Sequence, residues 1–383
     1  MRVLMVSAYG EDPSAGGVEK LLLELSGRLA TRGTDVSYLQ AFPPRGTVGD
    51  LERTILHRTD WRDDRMRRLM NHVGDVLAWP GGDLERAVIR HRPDVVHTHN
   101  LAGISTGVWE VCRRLGLPVI HSLHDYYLLC PRVTLMRRDA EPCRPSPMLC
   151  GLRTVRLARW APAVSHVTGV SQHVLDMHAR LFPRARVHLI RHPMAVSSLG
   201  KIRPPRAKPT VLGYIGYLDR IKGVHLLLEA APRLEALGLR LRIAGEGRLR
   251  HEVARASEQS SNVEWDGVVL GEQKRRFFEA CDLGLVPSVW AEPGGPTFTM
   301  VEWLAAGRPV LVSNRGGLGE VAEGYPGAIP VEPTVDSIVE SVAGLRGPER
   351  WNKLVAEVRP IDSKLDAEEW VKRHEAIYRS TAE

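Results

Sequence analysis

The sequence predicts an α/β protein of two doubly wound parallel sheets, from three observations. Short β-rich runs alternate with longer stretches of helical periodicity in two successive blocks, as strands joined by helical crossovers require. Residues 191–209 separate the blocks and carry four prolines and five Lys/Arg, so they read as a linker. The 383 residues match two domains at about 100–200 residues each, both large enough to bury a core. The expected domains are 1–195 and 196–363, with a last helix of about 364–383 packing back on the first.

The elements follow in chain order. Residues 2–7 are almost wholly apolar, as in a central parallel strand covered on both faces. A loop of small residues, 9–17, leads into 18–29, where apolar residues recur at helical spacing. Residues 36–39, 95–97, 119–123, 167–170 and 187–190 read as further strands. The second block restarts with strand 211–215, helix 224–237, strand 241–244 and helix 272–280. Residues 283–286, 299–306 and 309–312 continue it as strand, helix, strand. Two such domains would turn the C-terminal ends of their sheets to a central cleft, where open α/β sheets bind ligands.

Composition excludes several classes. Hydrophobic residues make up 43% and charged residues 25%, an ordinary globular balance. No apolar run approaches the roughly 18 residues of a spanning helix. Residues 1–8 lack the length and cleavage site of a signal peptide and read as the first strand. Five cysteines are too few and odd for a disulfide framework, which fits a reducing cytoplasm. Cys130, Cys143 and Cys150 share a loop without the close pair of a zinc site, so free thiols are expected. The first 200 residues hold 27 Lys+Arg against 19 Asp+Glu, the remainder 25 against 26. That basic excess is not interleaved with aromatic residues, so no nucleic acid is expected. Basic amphipathic stretches at 61–79 and 152–160 suit either a solvated face, the preferred reading, or peripheral contact with an anionic membrane. Nothing in the sequence sets the oligomeric state.

Three stretches of the second block suggest chemistry. In GYIGYLDRIKG, residues 213–223, a strand ends in glycine and Lys222-Gly223 opens a helix, an arrangement suited to a diphosphate or to an ordinary joint. In EPGGPTFTMVE, residues 292–302, a glycine turn lies between two carboxylates able to accept hydrogen bonds from sugar or ribose hydroxyls. Two glutamates near a helix start also suit a capping arrangement. Residues 316–320, GGLGE, form another glycine turn entering a helix. In the first block, His97 and His99 alternate at a strand end, and at least one of them is expected to be structural. No Asp-x-Asp precedes an obvious loop, so neither a divalent metal nor any other cofactor is expected.

Taken in order, these stretches resemble the nucleotide-sugar half of retaining glycosyltransferases of family 4, and the resemblance covers nearly the whole chain. It implies the GT-B fold, with Rossmann-like domains facing a central cleft, and a nucleoside diphosphate sugar donor with a hydroxyl acceptor of unspecified class. Residue by residue, it implies Lys222 on the diphosphate, Glu302 on the ribose, and Glu292 near the transferred sugar's hydroxyls and anomeric face. Gly294, Gly295 and Thr297 would form the phosphate loop. Gly16 and Gly17 resemble the glycine loop that faces the donor, Gly216 and Gly245 the strand-end glycines, and Val268 and Leu270 the base-binding loop. His124 would sit beside the sugar, with His99, Asn100, Asp125 and Tyr126 on the acceptor side. Two departures stand out. Tyr217 occupies the usual place of an arginine, for which Arg220 is the candidate replacement. Glu292 and Glu302 enclose nine residues where the family has seven, as a longer phosphate loop would produce. The alternatives are a sugar-nucleotide 2-epimerase-like enzyme and a non-catalytic sugar-nucleotide-binding protein. A dinucleotide oxidoreductase is disfavoured, because no Gly-x-Gly-x-x-Gly follows the first strand.

Overall fold

A computed structural model describes residues 1–10, 17–44, 51–56, 73–77, 82–137, 139–143, 147–193, 202–294, 297–358 and 363–382. The chain forms two compact units. The first comprises Met1–Leu135, Cys143–His192 and Glu368–Glu383; the second comprises Met136–Pro142 and Pro193–Ala367.

The first unit is built on a seven-stranded parallel sheet. Its strands are β1 (Arg2–Ser7), β2 (Asp35–Gln40), β3 (Arg53–Ile55), β4 (Val95–Thr98), β5 (Val119–Leu123), β6 (Val164–Gly169) and β7 (Arg186–Leu189). They lie in the order β3-β2-β1-β4-β5-β6-β7, so the winding reverses between β1 and β4. Helices α1 (Gly17–Thr31), α2 (Gly82–His91), α3 (Gly107–Arg114), α4 (Pro147–Ala158) and α5 (Gln172–His178) connect them. On one face Val3, Met5, Val36, Tyr38, Val95 and Ile120 pack with Leu25 and Leu29 of α1. The same layer takes in Trp370, Val371, Ile377 and Tyr378 from the C-terminal helix, Ser363–Ala382. Arg32 forks the Glu375 carboxylate at 2.9 and 3.0 Å, which fixes that helix beside α1.

The second unit carries six parallel strands: β8 (Val211–Ile215), β9 (Arg240–Ala244), β10 (Val263–Gly267), β11 (Leu283–Val286), β12 (Val310–Ser313) and β13 (Ala328–Val331). Their order is β10-β9-β8-β11-β12-β13, and the winding reverses between β8 and β11. Its helices are α6 (Val224–Ala236), α7 (Arg250–Gln259), α8 (Gly271–Ala280), α9 (Phe298–Ala305), α10 (Gly316–Ala322), α11 (Val335–Gly344) and α12 (Pro348–Glu357), and Ser363–Ala382 is α13. Successive strand residues enter opposite layers, Leu212 and Tyr214 one and Val211 the other, because side chains alternate across a sheet covered on both faces. Trp303 of α9 lies on Gly213 and Gly284, where an added Cβ would meet the indole at 2.4 Å. Glycine at these paired positions lets α9 seat directly on β8 and β11.

Two doubly wound sheets were expected and are present; the short strands β3, β10 and β13 are additions that the sequence reading did not contain. The basic stretch 61–79 lies largely outside the described residues, of which 73–77 are helical. Among the described residues, no helix is long and apolar enough to cross a membrane.

Candidate functional site

In the second unit the site grows from the switch between β8 and β11, whose C-terminal ends lie side by side. After β8, Asp219 accepts a hydrogen bond from Ile221 N at 3.1 Å and caps the turn Arg220–Lys222. Gly223 ends that turn with φ of 77° and opens α6. A Cβ there would stand 1.9 Å from the Pro287 carbonyl, so only glycine lets the two loops meet. Ile221 O accepts from Val289 N and Trp290 N at 3.1 and 3.3 Å, which ties the loop after β11 to the loop after β8.

This backbone brings Lys222 onto Glu292. Lys222 Nζ donates to Glu292 Oε1 at 2.9 Å, and Ser288 Oγ donates to the same oxygen at 2.5 Å. The ammonium also lies 5.1 Å from the centre of the Trp290 ring. Glu292 is buried, and its carbonyl accepts from Gly317 N at 2.7 Å at the entry to α10. Lys222, Ser288 and Glu292 line a cavity with Gly216, Tyr217 and Thr297, and Lys222 is its one cation among the described residues.

The other expected donor residues are placed as follows. Thr297 is the N-cap of α9, accepting from Met300 N at 3.3 Å. Gly216 N donates to Ala244 O, and Gly245 N to Gly267 O, at 3.0 and 2.7 Å. A Cβ at Gly245 would stand 1.8 Å from Gly216 O, so these strand ends pack backbone to backbone. Val268 and Leu270 are exposed in the loop between β10 and α8. Glu302 does not line the cavity; it pairs with Lys274 of α8 at 2.5 Å. Arg220 is not brought to the cavity either: its Nε reaches the Asp139 carbonyl at 3.4 Å, and Tyr217 occupies the lining instead. Gly294 is described; Gly16 and Gly295 lie outside the described residues, and Gly17 is the exposed first residue of α1.

In the first unit, β4 and β5 deliver His99 and His124 to one place. His99 Nδ1 and His124 Nε2 are hydrogen-bonded at 3.0 Å, their rings stacked with centres 5.3 Å apart. His192 also stacks on His124, with ring centres 5.4 Å apart. His99 Nε2 and His124 Nδ1 are buried without a hydrogen-bond partner. Burial, reinforced by His374, pushes the His124 imidazole down to about 4. His99 falls well below its ordinary value for the same first reason, with His97 and His124 adding repulsion. Both rings are therefore neutral near pH 7.

Asn100 Nδ2 donates to Asp125 Oδ2 at 3.1 Å, and Tyr127 N to Asp125 Oδ1 at 2.7 Å. Burial raises the Asp125 carboxyl to about 6, against the opposing Tyr127 hydrogen bond and the Arg153 charge. Tyr126 is fully buried, its hydroxyl 3.0 Å from His173 Nε2, so it supports this loop from within the core. His97 is the structural member of its pair, held between Tyr378 OH at 2.8 Å and Ser122 Oγ at 2.7 Å. All five cysteines are free, and burial pushes the Cys112 thiol up to about 12. Among the described residues no group of three His, Cys, Asp or Glu is arranged to hold a metal.

Sequence reading missed Lys274, Ser288 as a donor, and Trp290. Lys274 lies in a run of charged residues that reads as a solvated face, and its one signal is that lysine is rare here, 8 against 44 arginines.

Residues 15–197 match the model of Glycosyltransferase Family 4, and residues 209–346 that of Glycosyl transferases group 1. A glycogen synthase of Halorhodospira halophila is 32% identical over 342 residues, 77% of this chain and 70% of that protein. A 42.6 kDa protein in the cps region of Klebsiella pneumoniae is 27% identical over 263 residues, 66% of each chain. Among solved structures, sucrose-phosphate synthase from Thermosynechococcus elongatus superposes with a TM-score of 0.70 at 16% identity, covering 99% of this chain and 98% of that one. Anabaena Alr3699/HepE, in complex with UDP, superposes with a TM-score of 0.68 at 14% identity, covering 98% and 100%.

Proposed function

We propose that this chain, which belongs to glycosyltransferase family 4 and has the GT-B fold, transfers a sugar from a nucleoside diphosphate to a hydroxyl acceptor with retention of configuration. The observation that carries this reading is the Lys222–Glu292 pair at the switch point of the second sheet, beside glycine-rich strand ends. Open α/β sheets bind ligands at that place. That Anabaena Alr3699/HepE binds UDP supports a nucleotide donor.

In this reading Lys222 stabilises the negative charge that builds on the leaving diphosphate, and Gly294, Gly295 and the N-terminal turn of α9 offer backbone N–H groups to it. Neutralisation falls to Lys222, so no step is assigned to a divalent ion. Glu292 Oε1 already holds two donors, which leaves Oε2 for the sugar's hydroxyls and anomeric face. Glu302 takes the ribose, and Val268 and Leu270 the base. The first unit is assigned the acceptor, through Asn100 and Asp125, and a contact with the transferred sugar, through neutral His124. The family's arginine is replaced in the cavity by Tyr217, so the diphosphate relies on one cation rather than two. Leu152 and Val155, 55% and 67% exposed with Arg156 beside them, support peripheral contact with an anionic membrane.

The test is incubation with UDP-, ADP- and GDP-sugars and an acceptor panel, reading nucleoside diphosphate release and the anomeric configuration of the product. Transfer with retention is expected. Inversion would overturn the mechanism. Release of a free epimerised sugar, or binding without turnover across the panel, would overturn transfer itself.

A further inference from the structure

We propose that Lys274 is a positioning residue of the donor site. Its ammonium pins one oxygen of Glu302 so that the other is presented to the ribose hydroxyls of a nucleoside diphosphate. The inference rests on the assignment of Glu302 to the ribose.

Lys274 and Glu302 sit on helices locked to each other. Phe277 and Phe278 of α8 pack on Trp303 of α9 with ring centres 5.9 and 4.5 Å apart, and Trp303 is seated on Gly213 and Gly284. Lys274 is the fourth residue of α8 and Glu302 the fifth of α9, and their side chains meet. Lys274 Nζ stands 2.5 Å from Glu302 Oε1, with the side chains 26% and 20% exposed. Among the described residues no second donor holds the Glu302 carboxylate. Lys274 N also bonds Leu270 O at 3.4 Å, which places the lysine one turn from the loop assigned to the base.

The choice of lysine bears on what Glu302 can still do. The neighbouring Arg275 and Arg276 of α8 bind Glu272 and Glu279, and arginine outnumbers lysine 44 to 8 in the chain. A guanidinium forks both oxygens of a carboxylate, whereas an ammonium is a point donor that can engage one. Glu302 Oε2 therefore remains an acceptor. Glu292 follows the same rule, with Lys222 and Ser288 both on Oε1. Each glutamate thus carries its own lysine, and each lysine offsets the repulsion between that carboxylate and an arriving diphosphate. A free glutamate side chain would also lose rotamer entropy on meeting the ribose; one already pinned does not.

The experiment is titration calorimetry on the full chain with UDP, ADP and GDP, then with the 2′,3′-dideoxy analogue of the tightest binder. The parent should prefer the ribonucleotide. Lys274→Met should weaken ribonucleotide binding by about tenfold, the worth of one hydrogen bond to a charged group, and leave the dideoxy analogue nearly unaffected. Lys274→Arg should keep the melting midpoint and yet lose the preference, because the fork takes both oxygens; a purely structural ion pair would be rescued by arginine. Should Lys274→Met fail to fold, Lys274→Arg decides. A parental ribose preference in either variant overturns the role of Lys274. If Glu302→Gln also keeps that preference, the ribose assignment falls with it; if Glu302→Gln alone loses it, only Lys274 is overturned. No binding by any of the three diphosphates overturns both.

Discussion

Lys222 and Glu292 are separated by 70 positions in the chain, and their side chains meet at 2.9 Å. The meeting depends on Gly223, since any Cβ there would collide with the Pro287 carbonyl and part the two loops. Glu292 is buried while the ammonium keeps a partly open flank toward the cavity.

Lys222→Met should lower nucleoside diphosphate affinity by at least tenfold, since a charge-assisted hydrogen bond contributes about 1.5–3 kcal/mol. It also leaves the buried Glu292 carboxylate with Ser288 as its remaining donor, so the melting midpoint should fall. Calorimetric affinity equal to the parent's would remove the diphosphate assignment.

Ser288→Ala deletes the 2.5 Å donor to Glu292 Oε1. Leaving a buried acceptor short of a partner costs about 1–3 kcal/mol. If Glu292 faces the reacting sugar, turnover should fall further than affinity for the bare diphosphate. Steady-state kinetics and titration on one preparation check this, and equal losses in both would contradict it.

His124→Ala should reduce turnover by about 10²–10³-fold, as polar groups aimed at a reacting centre do. Diphosphate affinity should stay near the parent value, because Lys222 and Glu302 belong to the other unit. A variant whose midpoint drops but whose turnover per folded molecule holds would make His124 a packing residue.

Stability should fall steeply as pH drops below about 6.5. His178 and His374 are buried and pushed down to about 4, chiefly by desolvation. Below their unfolded value of 6.5 the unfolded chain takes up protons that the folded one refuses, so each contributes stability above that pH and loses about 2 kcal/mol of it by pH 5. His97, His99 and His192 shift the same way. Urea midpoints at pH 7.5, 6 and 5 should decline in that order. A flat series would show that the histidine layer opens to water.

Transfer should survive excess chelator, because the reading assigns charge neutralisation to Lys222. Activity lost on chelation and restored by magnesium or manganese would require a metal at the diphosphate.

Much of this architecture is legible in the chain, since local patterns govern local structure. Short apolar runs such as 2–7 and 211–215, bounded by turn residues, read as strands covered on both faces, and Lys222-Gly223 reads as a turn into a helix. The edge strands escaped notice because β3 has three half-buried residues and its register comes from β2, not from its own pattern. The placement of Arg220 escaped notice as well. Its place one helical turn after Tyr217 suggested a replacement for the missing arginine, yet its guanidinium turns to Asp139, in a segment more than 80 positions earlier that packs with the second unit.

The residue types needed at the donor site, a lysine at a helix entry and two glutamates around a glycine turn, are therefore set by short-range order, which neighbouring residues specify through turn geometry and periodicity. The pairing of those residues is of another kind. Lys274 finds Glu302 because Phe277, Phe278 and Trp303 lock two helices together, and His99 finds His124 because β4 and β5 end side by side. Such pairs depend on how helices cross and strands align, distances that one-dimensional spacing does not encode. Packing then assigns the roles: it holds His97 in the core between Tyr378 and Ser122 and delivers His99 to His124, although His97 and His99 read alike in the sequence.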